Sequence, residues 1–196
     1  MELFEAIKTR RSIRHYTTDP VDDTKIETIL EAGRWAPSWS NTQCWRFIVV
    51  RDPEMKSKVA ETLVQFKLPD KLIDNPAIKI LNTVPVVIVV CAEVGKSGGP
   101  PGKPGGAGGE FITDKGDWFM FDTALAVQNM VLAAHALGLG TVIIGTFDAA
   151  KAGKVLGVPE GYRVVTMFPV GVPAQEGKTP PRKELSEIVS KDRWIS

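Results

Sequence analysis

Cysteine and histidine are scarce in this sequence, with two of each among 196 residues. Cys44 and Cys91 form no CxxC pair and have no histidine at ligand spacing, so the sequence predicts neither a disulfide framework nor a zinc site. His15 and His135 leave few members for a Ser-His-Asp or Cys-His arrangement. We expect His135 to be a hydrogen-bonded core residue and His15 to be solvated. If the protein is an enzyme, the reactive atoms should therefore belong to a cofactor.

Net charge and long apolar runs are also lacking. The 24 basic and 23 acidic side chains leave a formal charge of +1, which gives no electrostatic reason to bind nucleic acid or an anionic membrane. The longest apolar run, VPVVIVVCA (84–92), is about half of the ~20 residues that a membrane-spanning helix needs. The N-terminal MELFEAIKTRR lacks the charged-then-apolar order of a secretion signal. We therefore expect a cytoplasmic protein.

Helical and strand patterns interleave along the chain, which predicts one domain over residues 1–196 of the α/β or α+β class. Strands are predicted at 46–50, 85–92 and 162–171, the first two buried on both faces. The sequence at 123–137 is apolar nearly all the way round a helix, which indicates the centre of the domain, a tight dimer face, or both. Further helices are predicted in MELFEAIKT, from Asp22 or Asp23 to a stop at Pro37, from Asp52-Pro53, from Asp148, and in RKELSEIV.

The stretch GKSGGPPGKPGGAGG (95–109) holds eight of the 18 glycines and three of the 14 prolines, which predicts a loop over 95–110. A lid over a functional site and a plain surface loop are both compatible with it. GKS at 95–97 is not a phosphate loop, because Val90 stands where that motif needs glycine. Gly138 and Gly140 do not form a dinucleotide fingerprint, because Ile143 replaces the third glycine.

Three arginines surround Ser12 in TRRSIRHY (9–16), although the chain as a whole is almost neutral. Guanidinium groups match phosphate oxygens bidentately, and a serine hydroxyl adds a neutral donor. A solvated basic helix end is the alternative. The stretch APSWSNTQCWRFIVV (36–50) then places polar amides just before a predicted strand, which suits either donors aimed at a planar heterocycle or an ordinary turn.

With these motifs, the sequence resembles the nitroreductase-like FMN-dependent oxidoreductases over essentially its whole length. The resemblance implies a three-layer α-β-α fold of the α+β class, with a mixed central sheet flanked by helices. It also implies an intertwined homodimer with two FMN sites at the subunit interface, and no metal. The matching segments, in the family's order, are RRSIR (10–14), APSWSNTQCW (36–45), ALAVQNMVLAAHALGLGT (124–141), IIGTFD (143–148) and PPRKELSEIV (180–189).

The same resemblance assigns roles to the arginines. Arg10, Arg11 and Ser12 would hold the phosphate and ribityl end of FMN, and Arg182 would close on the phosphate. Arg14 would face the pyrimidine edge of the ring, where a cation stabilises the negative charge of reduced flavin.

Other residues would hold the flavin ring. The backbone N–H groups of Ile144 and Gly145 would lie near the flavin N5 and O4, where glycine suits close approach. The residues expected from the partner chain are Pro37, Ser38, Trp39 and Asn41.

The sequence departs from the family pattern at several positions. Cys44 stands where proline is usual, which could soften the turn that holds Asn41. Trp39 is large for its position and could stack on the substrate. Ile144 replaces a carboxylate of some members, and Lys79 is a weak candidate for a further flavin contact.

The function implied by the resemblance is ping-pong reduction of nitroaromatic, quinone or flavin acceptors by NAD(P)H through bound FMN. Two alternatives stay open. One is an FMN-binding sensor or store without turnover. The other is a dehalogenating or flavin-cleaving branch, although residues 95–109 offer only lysine side chains as charged groups for gripping a substrate.

Overall fold

The computed structural model describes residues 1–100 and 111–194, which contain seven α-helices interspersed with six strands. In chain order these are α1 (Leu3–Thr9), α2 (Asp23–Arg34), β1 (Trp45–Val50), α3 (Pro53–Ala60), β2 (Phe66–Leu68), β3 (Lys71–Ile73), α4 (Ala77–Thr83), β4 (Val86–Glu93), α5 (Phe119–Ala136), β5 (Gly140–Thr141), α6 (Ala149–Leu156), β6 (Tyr162–Gly171) and α7 (Leu185–Ile188).

The central sheet has the strand order β1-β4-β6-β5, and its neighbouring strands pair antiparallel. A parallel bridge between Ser12 and Thr141 adds the segment after α1 to the β5 edge. Strands β2 and β3 form a separate antiparallel hairpin. The sheet order places the segment that follows α1 beside the strand that follows α5.

Strand β4 is buried along its length, and its side chains alternate between two cores. Val87, Val89 and Cys91 pack with α3, α4 and α6, whereas Val86, Ile88 and Val90 pack with α2 and α5. Burial of each such side chain stabilises the fold by about 1.5–3 kcal/mol. The predicted three-layer α+β architecture is therefore confirmed.

Strand β1 is at the sheet edge, which corrects one prediction. Arg46 is exposed and Val49 is 36% exposed, so this strand is not buried on both faces. An edge strand has a neighbour on one side only, and its apolar sequence alone does not reveal that position.

Helix α5 packs closely on α2. A Cβ on Gly33 would lie 2.7 Å from Met130 Cγ, and Asn129 Nδ2 donates to Ala32 O at 3.1 Å. The first turn of α5 is different, because Met120 and Phe121 are both more than half exposed. The helix therefore has a buried central part and an apolar, uncovered start.

The structure tests several other sequence predictions. Asp52 and Asp148 cap α3 and α6 as predicted, accepting from Met55 N at 2.8 Å and Lys151 N at 2.9 Å. The hairpin and α4, in contrast, were not predicted. Most of the predicted loop at 95–110 lies outside the described residues, and so does its proposed role as a lid. Among the described residues, no helix has both the length and the apolar character that crossing a membrane requires.

Candidate active site

A cavity of about 720 Å³ lies where three parts of the chain meet. Its walls come from residues 14–18, from the hairpin and α4, and from the loop 142–146 between β5 and α6. This cavity is lined by three of the predicted site residues, Arg14, Ile144 and Gly145, and by Lys79. We call it the Arg14 cavity. None of the described residues that line it is acidic. The cavity therefore favours an uncharged or anionic ligand.

The loop 142–146 lines the cavity with all five of its residues. Ile144 N–H donates to Met167 O at 2.8 Å, and Ile144 O accepts from Thr166 Oγ1 at 2.8 Å. The Ile144 N–H is thus already hydrogen-bonded to β6, which corrects the expectation that it faces a flavin. Gly145 N–H has no hydrogen-bond partner among the described residues, and a Cβ on Gly145 would meet no atom within 4 Å. Gly145 therefore combines a backbone N–H donor with open space for a ligand.

The segment that carries Arg14 is held against β5. Ile13 N–H donates to Thr141 O at 2.9 Å, and Ile13 packs on Gly140, where a Cβ would lie 2.8 Å from Ile13 Cβ. The Tyr16 hydroxyl donates to Ile13 O at 2.6 Å. Burial raises the pKa of Tyr16, so the phenol stays protonated and keeps this hydrogen bond. These contacts fix the backbone from which Arg14 extends.

Positive charge accumulates near the end of α1. Burial, and then the positive charges of Arg11 and Arg182, lower the pKa of Arg10. Among the described residues, none of the ion pairs involves Arg10, Arg11, Arg14 or Arg182. Guanidinium groups without carboxylate partners are a favourable environment for a bound anion.

Arg11 points to a different cavity of about 710 Å³, lined also by Thr9 and His135. Its guanidinium donates to Lys8 O at 2.7 Å and to Arg10 O at 2.8 Å, and its Nε donates to Thr179 Oγ1 at 3.2 Å. The side chain thus joins the end of α1 to the segment before α7. Arg11 and Arg14, predicted for the phosphate end and the ring edge of FMN, therefore line two different cavities.

The two histidines have unequal surroundings. His135 Nε2 lies 2.8 Å from Thr9 Oγ1, so its predicted hydrogen bond is confirmed, but the ring is half-buried and not part of the core. Burial, then the charges of Arg10 and Arg11, lower the pKa of His135 and favour the neutral ring. His15 is exposed, as predicted, at the edge of the Arg14 cavity.

The turn 37–44 does not line the Arg14 cavity within one chain. Ser40, Asn41 and Gln43 have φ values of 45°, 55° and 48°. A left-handed conformation costs about 1–3 kcal/mol for a residue other than glycine and persists where surrounding contacts impose it. The turn that carries Pro37, Ser38, Trp39 and Asn41 is thus a strained element, as functional turns often are.

Cys44 ends this turn, and Asp122 contacts it from α5. Cys44 is fully buried, and burial raises the pKa of its thiol to about 11, so it is an unreactive thiol. Asp122, in the first turn of α5, accepts from the Trp39 backbone N–H. Sequence analysis missed Asp122, although a carboxylate at the start of an otherwise apolar helix is the signal that could have revealed it.

Comparisons with known proteins agree with this geometry. The family model described as the nitroreductase family matches residues 7–172. An Archaeoglobus fulgidus protein, provisionally named NADH dehydrogenase/NAD(P)H nitroreductase, is 34% identical over 179 residues, covering 89% of this chain and 87% of that protein. Rat iodotyrosine deiodinase 1 is 27% identical over 208 residues, covering 96% of this chain and 68% of that protein.

Solved structures give the same result. The NADPH:FMN oxidoreductase of Vibrio harveyi, solved with NAD⁺, superimposes with a TM-score of 0.76 at 25% identity, covering 98% of this chain and 78% of that one. The family model matches most of the chain, and the Archaeoglobus fulgidus relative is 34% identical over most of both chains. The chain therefore belongs to the nitroreductase family of oxidoreductases.

Proposed function

We propose that the protein is an FMN-dependent oxidoreductase that uses NAD(P)H to reduce nitroaromatic, quinone or flavin acceptors. The observation that carries the proposal is the Arg14 cavity, where the unpaired N–H and open space at Gly145 lie in one acid-free cavity with Arg14. A planar ring with polar edges and an anionic tail suits such a site. The Vibrio harveyi relative is named for NADPH and FMN, which supports this choice of cofactor.

The described residues fit the two ends of FMN. Arg10, with Arg182 near enough to affect its pKa, would hold the phosphate together with the Ser12 hydroxyl. Arg14 would lie at the pyrimidine edge of the ring, and the Gly145 N–H would donate at the other edge. When bound there, FMN would supply the hydride chemistry that links NAD(P)H to the acceptor.

The chain's own groups would then orient the bound ring and stabilise the charge that develops on it. Arg14 places positive charge where negative charge develops on reduction, and a fixed charge needs no reorganisation at that moment. The three hydrogen bonds between Ile144 and β6 keep the neighbouring Gly145 N–H in place. Phe66 and Ile143 give the cavity apolar walls that favour stacked aromatic molecules. We propose that NAD(P)H and the acceptor occupy this cavity in turn.

We propose that a second copy of the chain completes the site. The turn carrying Trp39 does not line the Arg14 cavity of its own chain. Apolar side chains are also uncovered on α1 and at the start of α5, and such a patch is typical of an interface. They are Leu3, Phe4, Ile7, Met120 and Phe121.

Anaerobic mixing tests the proposal. The purified protein should be yellow, NADH or NADPH should bleach it within seconds to minutes, and a quinone or nitroaromatic should restore the colour. Colour that neither nicotinamide bleaches would contradict turnover and support an FMN sensor or store.

Dehalogenation is a second candidate because iodotyrosine deiodinase is among the relatives. A halogenated tyrosine added to the bleached protein separates the two functions. The proposed function predicts reoxidation by quinone without halide release. Release of stoichiometric halide would assign the protein to the dehalogenating branch instead.

A further inference from the structure

Asp122 is a buried carboxylate without a cationic partner. It is 1% exposed, and none of the ion pairs between described residues includes it. Burying a carboxylate is costly unless hydrogen bonds or dipoles compensate. Its place in the first turn of α5 supplies the favourable end of the helix dipole. The remaining compensation must come from hydrogen-bond donors.

Those donors come from two loops that are distant in the sequence. The Trp39 backbone N–H lies 3.1 Å from Asp122 Oδ1 and 3.2 Å from Oδ2, and the Thr42 hydroxyl lies 3.4 Å from Oδ2. Ser97 is fully buried, and its hydroxyl donates to Asp122 Oδ2 through a short hydrogen bond. The Thr42 and Ser97 hydroxyls are themselves 2.8 Å apart. One carboxylate thus joins the turn 37–44 to residues 95–99.

The turn depends on outside contacts because its own conformation is unfavourable. Three of its residues are left-handed and none is glycine. Within the turn, Gln43 N–H donates to Ser38 Oγ at 3.0 Å and Asn41 N–H to Ser38 O at 3.0 Å. Asp122 holds the turn from outside, through the residue between Ser38 and the first left-handed position.

The Trp39 ring is fixed from the same side. Its Nε1 donates to Gly99 O at 2.8 Å, and its centroid lies 5.2 Å from that of Trp118 at an interplanar angle of 47°. Residues 95–99, which carry Gly99, are in turn held by the Ser97–Asp122 hydrogen bond. Asp122 therefore contacts the Trp39 backbone directly and, through Ser97, the segment that accepts from the Trp39 ring.

We propose that Asp122 is a positioning residue of the active site, because its buried carboxylate sets the conformation of the turn that delivers Ser38, Trp39 and Asn41 to the FMN site. This inference rests on the proposed function. Asp122 acts through the turn and does not itself touch the cofactor. Its effect should therefore appear in cofactor affinity and in the orientation of Trp39.

Asp122→Asn tests the inference, because the amide nitrogen cannot accept the hydrogen bonds that one carboxylate oxygen accepts now. We expect FMN affinity, measured by quenching of flavin fluorescence, to fall about tenfold or more. We also expect the exciton-coupled circular dichroism of the Trp39–Trp118 pair to weaken in the absence of FMN. Asp52→Ala is the control: it removes the cap of α3, lowers stability, and should leave both readouts unchanged.

The outcomes are distinct. Wild-type FMN affinity in a folded Asp122→Asn protein overturns the inference and leaves the proposed function intact. A wild-type protein that binds no FMN overturns the proposed function, and the Trp39–Trp118 signal then decides whether Asp122 holds the turn. If Asp122→Asn does not fold, Ser97→Ala decides: a weaker dichroism signal and weaker FMN binding support the inference, and wild-type values overturn it.

Discussion

The three N-terminal arginines illustrate how neighbouring residues of one type acquire different roles. Arg14 lines the cavity with Gly145, whereas the Arg11 side chain turns away and donates to two backbone carbonyls and Thr179. Close packing reinforces this direction, because Gly177 leaves no room for a Cβ against the stem of Arg11. Arg11 therefore supports the local fold, and Arg14 is the better candidate for a cofactor contact.

Arg11→Ala should reduce stability more than FMN affinity. The variant loses two hydrogen bonds to backbone carbonyls at the end of α1 and one to Thr179 in the C-terminal segment, which costs about 1–2 kcal/mol of unfolding free energy for these partly exposed groups. Urea denaturation and flavin titration measure the two effects. Arg14→Ala is the matched control and should do the reverse, with stability within about 0.5 kcal/mol of wild type. An Arg11→Ala protein of normal stability that no longer binds FMN would refute this division of roles.

At the scale of secondary-structure elements, close contacts between β5 and the segment after α1 position the candidate site. Gly140 is the critical position, because three Ile13 side-chain atoms would lie within 2.9 Å of a Cβ there. Ile13 is β-branched and cannot rotate away easily. Since Ile13 lies between Ser12 and Arg14, any displacement moves both candidate cofactor contacts.

Gly140→Ala should consequently impair folding and cofactor binding together. Overpacking against Ile13 should cost about 1–3 kcal/mol in the free energy of unfolding, and FMN affinity should fall with it. Gly153→Ala in α6 is the control, because the nearest atom to its Cβ among the described residues would be Val158 Cβ, at 3.8 Å. That variant should be stabilised by up to about 1 kcal/mol with unchanged FMN affinity. Chemical denaturation and flavin titration of both variants check this, and a neutral Gly140→Ala would contradict it.

The sequence predicted elements well where the local pattern was strong. The strand predicted at 162–171 has the observed bounds of β6, and the caps of α3 and α6 were identified from Asp52 and Asp148. The three-residue strands of the hairpin are too short to show a period, so they were missed. The edge position of β1 is a property of the strand order, which no local pattern contains.

At the site, the sequence predicted which segments matter but not all directions of their side chains. Arg14 and Gly145 were named and do line one cavity. Arg11 was predicted at the phosphate end, and its hydrogen bonds to Lys8, Arg10 and Thr179 were not foreseen, because the orientation of a side chain after a helix end depends on tertiary contacts. Asp122 was missed because its role depends on Trp39 and Ser97, both distant in sequence.

At the scale of the whole molecule, exposed apolar side chains on α1 and at the start of α5 suggest that the single chain is not the functional unit. Phe4 is 74% exposed and Leu3 63% exposed on α1, and the start of α5 adds further apolar area. Water contact of this extent is unfavourable for a lone chain. A second copy would cover this surface and bring the turn 37–44 to the opposite FMN site.

Phe4→Asp should convert the protein to a monomer and weaken FMN binding as a consequence. A charge at this position would have to be buried in the interface without a partner. Size-exclusion chromatography with light scattering measures the mass, and flavin titration measures the affinity. Val94→Asp is the control, since Val94 is 41% exposed and lines a cavity with α6, across the sheet from α5. A Phe4→Asp dimer with wild-type affinity would argue against an interface through α1.

The central claim is that the positive charges near the end of α1 hold FMN, with Arg10 at the anionic end and Arg14 at the ring edge, and equilibrium titration of the apoprotein with FMN tests it most directly. We predict saturable binding of one FMN per chain by the wild-type protein. Arg10→Ala with Arg14→Ala should give a folded but colourless protein, whereas Arg34→Ala, which breaks an ion pair on α2, should bind normally. A wild-type chain that binds no FMN, or a double variant with wild-type affinity, would contradict the account.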